Sequence, residues 1–255
     1  MRYDFATPEP PKLRFAIGAG RVEVETADVA ETTVEVEAIR GNVEDLKVEQ
    51  HSRDIVIEGR KRFGFKGDEY DIRVRTPYGS DVDANIASAT FRAAGRLGAV
   101  EVNTASGDVQ VEDVERDAKV RSASGDVQLG SVAGRSDVNT ASGDVQVGSA
   151  TGGGTIRSAS GDVQIGEAAH RVSLNTASGD MQIGSIAEGS VDVKSASGDV
   201  RIGVKQGSRL FVDAKSLSGD TTSEVELGGV EVATGGPLVE VKGTTMSGDI
   251  RIVRA

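Results

Sequence analysis

A chain of 255 residues is long enough for one or two domains, and its 33 glycines and 4% aromatic content favour thin aliphatic layers over a bulky core. The formal net charge of −11 argues against a nucleic-acid partner, because binding a phosphate backbone needs a basic surface. The absence of cysteine excludes disulfides, thiolate metal sites and cysteine nucleophiles.

The first section, residues 1–80, contains several short strand patterns, among them "RVEVET", "TTVEVEAI" and "YDIRVR". Because an open solenoid end exposes unpaired strand edges, we expect this β-rich section to cap the first coil of the repeat that follows. It begins without an apolar signal region, and no window approaches 18 apolar residues. A cytoplasmic location without membrane insertion is therefore expected.

The second section, residues 81–207, repeats the word Ser-Gly-Asp at intervals of 18 or 19 residues, and two further copies follow it. The last residues of the eight copies, called here the turn aspartates, are Asp108, Asp126, Asp144, Asp162, Asp180, Asp199, Asp220 and Asp249. Apolar residues alternate with polar ones around each word, as in Val145-Gln146-Val147, which predicts a strand with one buried face. Ser-Gly-Asp itself is typical of a turn, since glycine permits a positive φ.

One 18-residue unit cannot bury its own apolar face, but copies stacked as a parallel sheet can. We therefore predict an all-β fold: a parallel β-solenoid (a single-stranded β-helix) with about 18 residues per coil, preceded by the β-rich capping section. Residues 208–255 are interpreted as divergent C-terminal coils and a cap, in which residues 223–243 form a loop over that end.

The words "SASGDVQLG", "SASGDVQIG" and "MSGDIRI" carry a family resemblance. From about residue 13 to residue 253 the chain resembles a bacterial domain family of unknown function known as "putative adhesin". The resemblance implies a parallel β-helix and, from some members, a link with cell-envelope stress. The missing export signal departs from an extracellular role.

Stacking would place the turn aspartates about 4.8 Å apart, where like charges repel by roughly 1 kcal/mol in water. We expect backbone N–H groups and a compensating column five residues upstream to offset this repulsion. That column consists of Asn103, Arg121, Asn139, Arg157, Asn175, Lys194 and Lys215. A cation bound along the aspartates is the alternative, but no metal or other cofactor is expected because basic residues already supply the positive charge.

A column of hydroxyl residues invites an ice-binding interpretation, but neighbouring charges make turn hydrogen bonds the better one. Its members are Thr104, Ser122, Thr140, Ser158, Thr176 and Ser195. Catalysis finds little support, because a serine nucleophile needs a base and the two histidines, His51 and His170, are single and unrepeated. The chain is therefore not expected to be an enzyme.

The leading functional hypothesis is a non-enzymatic scaffold or interaction protein that binds itself or another protein. The alternatives are an adhesin-type module for envelope glycan or protein, and a cation-binding β-roll. A small-molecule ligand is not expected.

Overall fold

The computed structural model describes residues 1–59, 68–224 and 236–255, and in these ranges the chain is all-β apart from a short 3-10 helix at Val43–Asp45. The chain forms two compact units, residues 1–130 and residues 131–255. Each unit has a β-solenoid-like fold built mainly from parallel strands, and unit 1 also contains antiparallel pairs. The sections 1–80, 81–207 and 208–255 stay a prediction about the sequence, which the division into units does not test. Over the described ranges, no helix has the length and apolar character needed to cross a bilayer.

The described residues of unit 1 form ten complete strands and the start of an eleventh. They are β1 Arg2–Ala6, β2 Lys12–Ala27, β3 Glu31–Arg40, β4 Leu46–His51, β5 Asp54–Gly59, β6 Glu69–Pro77, β7 Asp81–Leu97, β8 Val100–Thr104, β9 Val109–Val114, β10 Ala118–Ser124 and β11 Val127–Val132.

The parallel stack of unit 1 is organised around β2. One edge of β2 pairs with β5 and β6, and its other edge pairs with β7. Strands β8 and β9 then stack on β7, and β10 stacks on β8. In this register Leu13 lies beside Val82, and both side chains are buried, so the alternating pattern of β2 builds a shared apolar layer.

Antiparallel strands close the start of the stack in unit 1. Strand β3 pairs with β6, β4 pairs with β5, and β1 pairs with the outer edge of β3. Val34 and Val36 of β3 are buried by this arrangement. The outermost strand, β1, is only five residues long and carries Arg2 and Asp4, which are features that discourage further strand pairing.

A chain of buried hydroxyl groups joins β3 and β6 to the segments on either side of them. Ser80 donates to the Pro77 carbonyl oxygen over 2.7 Å, so its oxygen can only accept from Thr76. Thr76 in turn accepts from Thr32 over 3.0 Å, and Thr32 accepts from Thr7 over 2.9 Å. Since each hydroxyl has one proton, every donor in this chain is satisfied without water.

In unit 2, leaving aside residues 225–235, the chain forms the end of β11 and ten further strands. They are β12 Ser136–Ser142, β13 Val145–Ala150, β14 Gly154–Ser160, β15 Val163–Ser178, β16 Met181–Ser197, β17 Val200–Val204, β18 Arg209–Ser218, β19 Thr221–Ser223, β20 Leu238–Ser247 and β21 Ile250–Arg254.

Repeated residues lie beside one another in the parallel pairs of unit 2. Val145 pairs with Val163, and Val163 pairs with Met181, so like positions of the repeat meet on adjacent strands. All three side chains are at most 2% exposed. The predicted apolar columns are therefore the core of this unit.

The glycine of the repeated turn lies against the backbone of the neighbouring coil. Gly179 has a φ of +125°, and a Cβ there would lie 2.2 Å from the carbonyl oxygen of Gly161. Both the left-handed backbone and the lack of space exclude a side chain at this position. The turn glycine is thus needed for stacking as well as for the turn.

The last coils of unit 2 do not follow chain order. Strand β20 pairs with β16 on one edge and with β18 on the other, and β21 likewise lies between β17 and β19. Residues 209–223, called here the terminal coil, therefore lie outside residues 238–254. Residues 225–235 of the predicted loop over this end lie outside the described residues.

Candidate functional site

The turn aspartates form a hydrogen-bonded series within each unit. In unit 1 the Asp126 N–H donates to Oδ1 of Asp108 over 3.1 Å. In unit 2 the same bond joins each aspartate to the next, at 2.8–3.0 Å: Asp162 to Asp144, Asp180 to Asp162, Asp199 to Asp180, Asp249 to Asp199 and Asp220 to Asp249. One carboxylate oxygen per coil is thus occupied by a backbone donor.

Asp249 shows how the repulsion between like charges is offset. The Asp220 N–H, and after it the Arg251 guanidinium 2.9 Å from Oδ2, hold the pKa of Asp249 below its ordinary value. The charged form is therefore favoured in the folded chain. The backbone hydrogen bonds are shared along the series, whereas this guanidinium contact belongs to Asp249. A structural role of the whole series stays a prediction.

The compensating column is in register but faces other acids. Its ion pairs are Arg121–Glu101 at 3.3 Å, Lys194–Asp192 at 3.9 Å and Lys215–Asp213 at 3.5 Å. Register brings Asn103 beside Arg121 in unit 1, and brings Asn139, Arg157, Asn175 and Lys194 together in unit 2. The predicted compensation of the turn aspartates by this column stays a prediction, since these three ion pairs are made with other acids.

The hydroxyl column bonds to the turn backbone, as predicted. Ser122, Thr140, Ser158 and Thr176 each donate to the carbonyl oxygen two residues ahead, over 2.9–3.1 Å. All four residues are less than 9% exposed, so they offer no hydroxyl surface to solvent or ice. The buried Ser195 hydroxyl has no partner within the described part of the chain.

The two histidines occupy separate, ordinary positions. His51 Nε2 lies 3.0 Å from Glu49 on the exposed end of β4. His170 has a φ of +59° where the pairing of β15 with β16 shifts register, so it marks a bulge. Across the described ranges, no group of three or more acidic, histidine or cysteine side chains is arranged to hold a metal ion.

A groove of about 630 Å³ crosses the polar face of unit 1 and is called here the arginine groove. Two rows of side chains run through it from strand to strand. The longer row, fixed by register, is Arg2, Glu35, Arg73, Glu23, Arg92 and Gln110. In the second row Arg75 lies beside Glu25, and Glu25 lies beside Ala94. Ala94 is exposed but short, so it leaves space between longer neighbours.

Two cations of the arginine groove differ from the others. Arg73 lies 3.5 Å from Glu23 and 3.2 Å from Asp71, so its charge is already matched. Arg75 and Arg92, both exposed, make no ion pair or side-chain hydrogen bond within residues 1–59, 68–224 and 236–255. These two guanidinium groups can therefore donate bidentate hydrogen bonds to carboxylates of a ligand.

The terminal coil is the second unusual surface. Val239 and Val241 on β20 are 0% exposed, whereas their register neighbours on β18, Leu210 and Val212, are half exposed. Among the described residues, β18 pairs with β20 and with no other strand. A ten-residue strand thus presents an apolar face and a free backbone edge, which is the arrangement that recruits a further strand.

One coil carries a sequence signal outside the Ser-Gly-Asp repeat. Strand β2 lies in register with β7 as a complete coil, and its Gly20, with a φ of +115°, occupies the position of a turn glycine. The stretch Gly20-Arg21-Val22-Glu23-Val24 matches the Gly-x-Val-x-Val spacing of the repeat. The arginine groove and the terminal coil had no such signal, because both arise from strands distant in sequence.

Comparison with known proteins identifies a family and similar solved structures. The family model described as Toastrack DUF4097 matches residues 12–253. A solved structure called "putative lipid binding protein", from Parabacteroides distasonis, is similar with a TM-score of 0.56 and 16% identity, covering 99% of this chain and 96% of that one. A "putative adhesin" from Bacteroides fragilis has a TM-score of 0.44 and 15% identity, with coverage of 99% and 96%. No curated protein matches the chain.

At these identities, the Parabacteroides structure supports the fold and nothing more. The family model, in contrast, spans nearly all of the chain, including β2, every turn aspartate and β20. The chain therefore belongs to the Toastrack DUF4097 family.

Proposed function

We propose that this chain is a non-enzymatic scaffold, a β-solenoid with about 18 residues per coil, that associates with a second copy of itself through the terminal coil. The observation that carries the proposal is the free edge of β18 with its exposed Phe211 and Leu217, 55% and 82% accessible. Large apolar side chains at that exposure, on a strand with one open edge among the described residues, favour association over a solvated end.

The closed start of unit 1 supports a dimer over a filament. An open-ended filament needs two different surfaces that bind each other. A single self-complementary surface instead forms a closed dimer. Among the described residues of unit 1, the antiparallel strands end in the short, charged β1, which is half as long as β18. The proposed assembly is accordingly a closed pair joined by β18.

Sedimentation velocity of the full chain at rising concentration tests this proposal. We expect the 26.4 kDa monomer to convert to a dimer. The double variant Leu210→Lys/Val212→Lys should remain monomeric, because it places charge on the half-exposed apolar face. Phe5→Lys on β1 is the matched control and should still dimerise, with circular dichroism verifying that both variants fold.

A second variant keeps the test decisive if the lysine variant unfolds. Phe211→Ser/Leu217→Ser changes only exposed side chains and should weaken the dimer while leaving the unfolding midpoint of the monomer in place. A wild-type chain that stays monomeric at high concentration contradicts the proposal.

The arginine groove supports a second candidate function, binding of an acidic envelope glycan. Arg75 and Arg92 would bind its carboxylates. Glu25, which has no ion pair within the described ranges, and the nearby Gln110 would bind its hydroxyl groups. This candidate makes the chain an adhesin-type module. Cell fractionation separates the two candidates, because a scaffold inside the cell and a glycan-binding module on its surface differ in location.

Titration with polygalacturonate, compared with neutral dextran, tests the glycan candidate. We expect salt-sensitive binding of the acidic polymer alone, and a loss of about tenfold or more in Arg75→Gln/Arg92→Gln, since two charge-assisted contacts disappear. Arg171→Gln/Arg201→Gln in unit 2 removes the same charge away from the groove. Equal losses of affinity in the two double variants would show that the polymer binds by non-specific electrostatic attraction.

A further inference from the structure

The side chains of β18 are arranged almost symmetrically about Ala214. Asp213 lies one residue before it and Lys215 one residue after it, while Phe211 and Leu217 lie three residues before and after. These four side chains are all exposed and occupy the same face, opposite the half-exposed Val212. Two complementary pairs are therefore placed at equal distances on either side of Ala214: an acid with a base, and an aromatic with an aliphatic side chain.

We infer that two copies pair antiparallel along β18, with Ala214 on the two-fold axis and opposite its own copy. This inference rests on the self-association proposed above and specifies its geometry. In this register Asp213 of one copy lies opposite Lys215 of the other, and Phe211 lies opposite Leu217. Symmetry repeats each contact, so the interface holds two ion pairs and two apolar pairs.

Neighbouring registers are less favourable. Directly opposite residues share a face, so a shift that moves the axis between two residues places exposed side chains opposite the apolar ones. An axis on Asp213 brings that carboxylate against its own copy, and an axis on Lys215 brings two ammonium groups together. Only the axis on Ala214 matches both the charges and the apolar side chains.

The structure leaves these groups available for the contact. Lys215 Nζ lies 3.5 Å from Asp213 Oδ1 within the chain, with side-chain exposures of 79% and 53%. Such a solvent-exposed pair is weak and readily shared with a second copy. Ala214 has a small side chain, so the two backbones can approach at the axis without a steric clash.

Cysteine cross-linking tests the register, because the chain has no cysteine of its own. Opposite residues of an antiparallel pair have Cα atoms about 4.5–5.5 Å apart, within the range of a disulfide. Ala214→Cys should therefore form a covalent dimer on mild oxidation. Ser216→Cys on the same face is the matched control and should not, because its two copies would be four residues out of register, about 13 Å apart.

Charge exchange provides an independent measurement. Asp213→Lys or Lys215→Asp places like charges opposite each other twice, and each should weaken the dimer by about tenfold at low salt. The double exchange Asp213→Lys/Lys215→Asp restores both pairs and should return the dissociation constant to within about threefold of the wild-type value.

The outcomes separate this inference from the proposal beneath it. A wild-type dimer with no cross-link through Ala214→Cys, or with no recovery in the double exchange, overturns the register while self-association stands. A wild-type chain that never dimerises overturns both.

Discussion

Strands β3 and β18 are both ten residues long, yet β3 buries Val34 completely while β18 leaves Val212 half exposed. The difference lies in what pairs with each strand. β3 has β6 on one edge and β1 on the other, whereas within the described ranges β18 has only β20. The last edge of a parallel stack therefore has to be covered by other strands, and in unit 1 the antiparallel strands cover it.

The largest expected effect compares a turn inside the stack with the turn before the terminal coil. Gly179→Ala places a methyl group 2.2 Å from a neighbouring carbonyl oxygen, whereas Gly207→Ala meets nothing within 4 Å. Both positions have a positive φ. We expect the first variant to lose about 3 kcal/mol or more of unfolding free energy and the second about 1 kcal/mol.

Urea denaturation followed by circular dichroism measures this difference. Equal losses in the two glycine variants would show that backbone conformation alone limits these turns and that close stacking adds nothing.

The same truncation in β3 and β18 tests the contrast between the two ends directly. Val34→Ala removes two buried methyl groups and should cost about 2 kcal/mol, because a cavity remains among fixed neighbours. Val212→Ala removes half-exposed ones and should cost less than about 1 kcal/mol in the monomer. A larger loss at Val212 below the dimerisation concentration would mean that the terminal coil is covered.

The buried hydroxyl chain is a third feature of the closed end. Thr76→Val keeps the shape of the side chain but leaves the Thr32 proton without an acceptor and Ser80 without a donor, so a loss of about 1–2 kcal/mol is expected. Thr222→Val on the exposed face of β19 should change thermal stability by less than about 0.5 kcal/mol. If Thr76→Val left the unfolding free energy almost unchanged, the hydroxyl chain would not stabilise this end.

The smallest expected effect is a pH dependence at the open end. The folded-state pKa of Asp249 is lowered by the Asp220 N–H and by Arg251. Its contribution is therefore complete above the unfolded-state value of about 3.9 and is lost as pH falls through the folded value. Asp249→Asn should lose less stability between pH 7 and pH 3 than the wild type does.

Asp28→Asn, in the exposed loop after β2, is the control for this titration. If it reduces the pH dependence as much as Asp249→Asn, the aspartate series has no special electrostatic role.

The repeat predicted the interior of the fold well for a physical reason. In a parallel stack, residues one repeat apart become neighbours, so Val145 and Val163 are linked by sequence spacing alone. The bonds from Thr140 and Ser158 to the turn backbone were predictable for the same reason, being local. The ion-pair partners of Arg121 and Lys194 could not be predicted in this way. They depend on the direction of each side chain at the end of its strand, which sequence spacing does not give.

The order of coils and the candidate binding surfaces required the structure. A spacing of 29 residues between Asp220 and Asp249 shows that an excursion exists, but similar words cannot tell which copy lies outermost. The arginine groove depends on Arg75 from β6 and Arg92 from β7, which lie on opposite edges of β2. No local pattern connects those two residues.

The position of β20 between β16 and β18 also has a consequence for how the chain leaves the ribosome. Residues 209–223 emerge before residues 238–254, yet among the described strands the earlier segment pairs with the later one alone. Vectorial synthesis therefore cannot add the last two coils of unit 2 in chain order. The pairing of residues 209–223 can therefore form only after residues 238–254 have been synthesised and have docked. Folding of this end is thus expected to follow synthesis of the last strands.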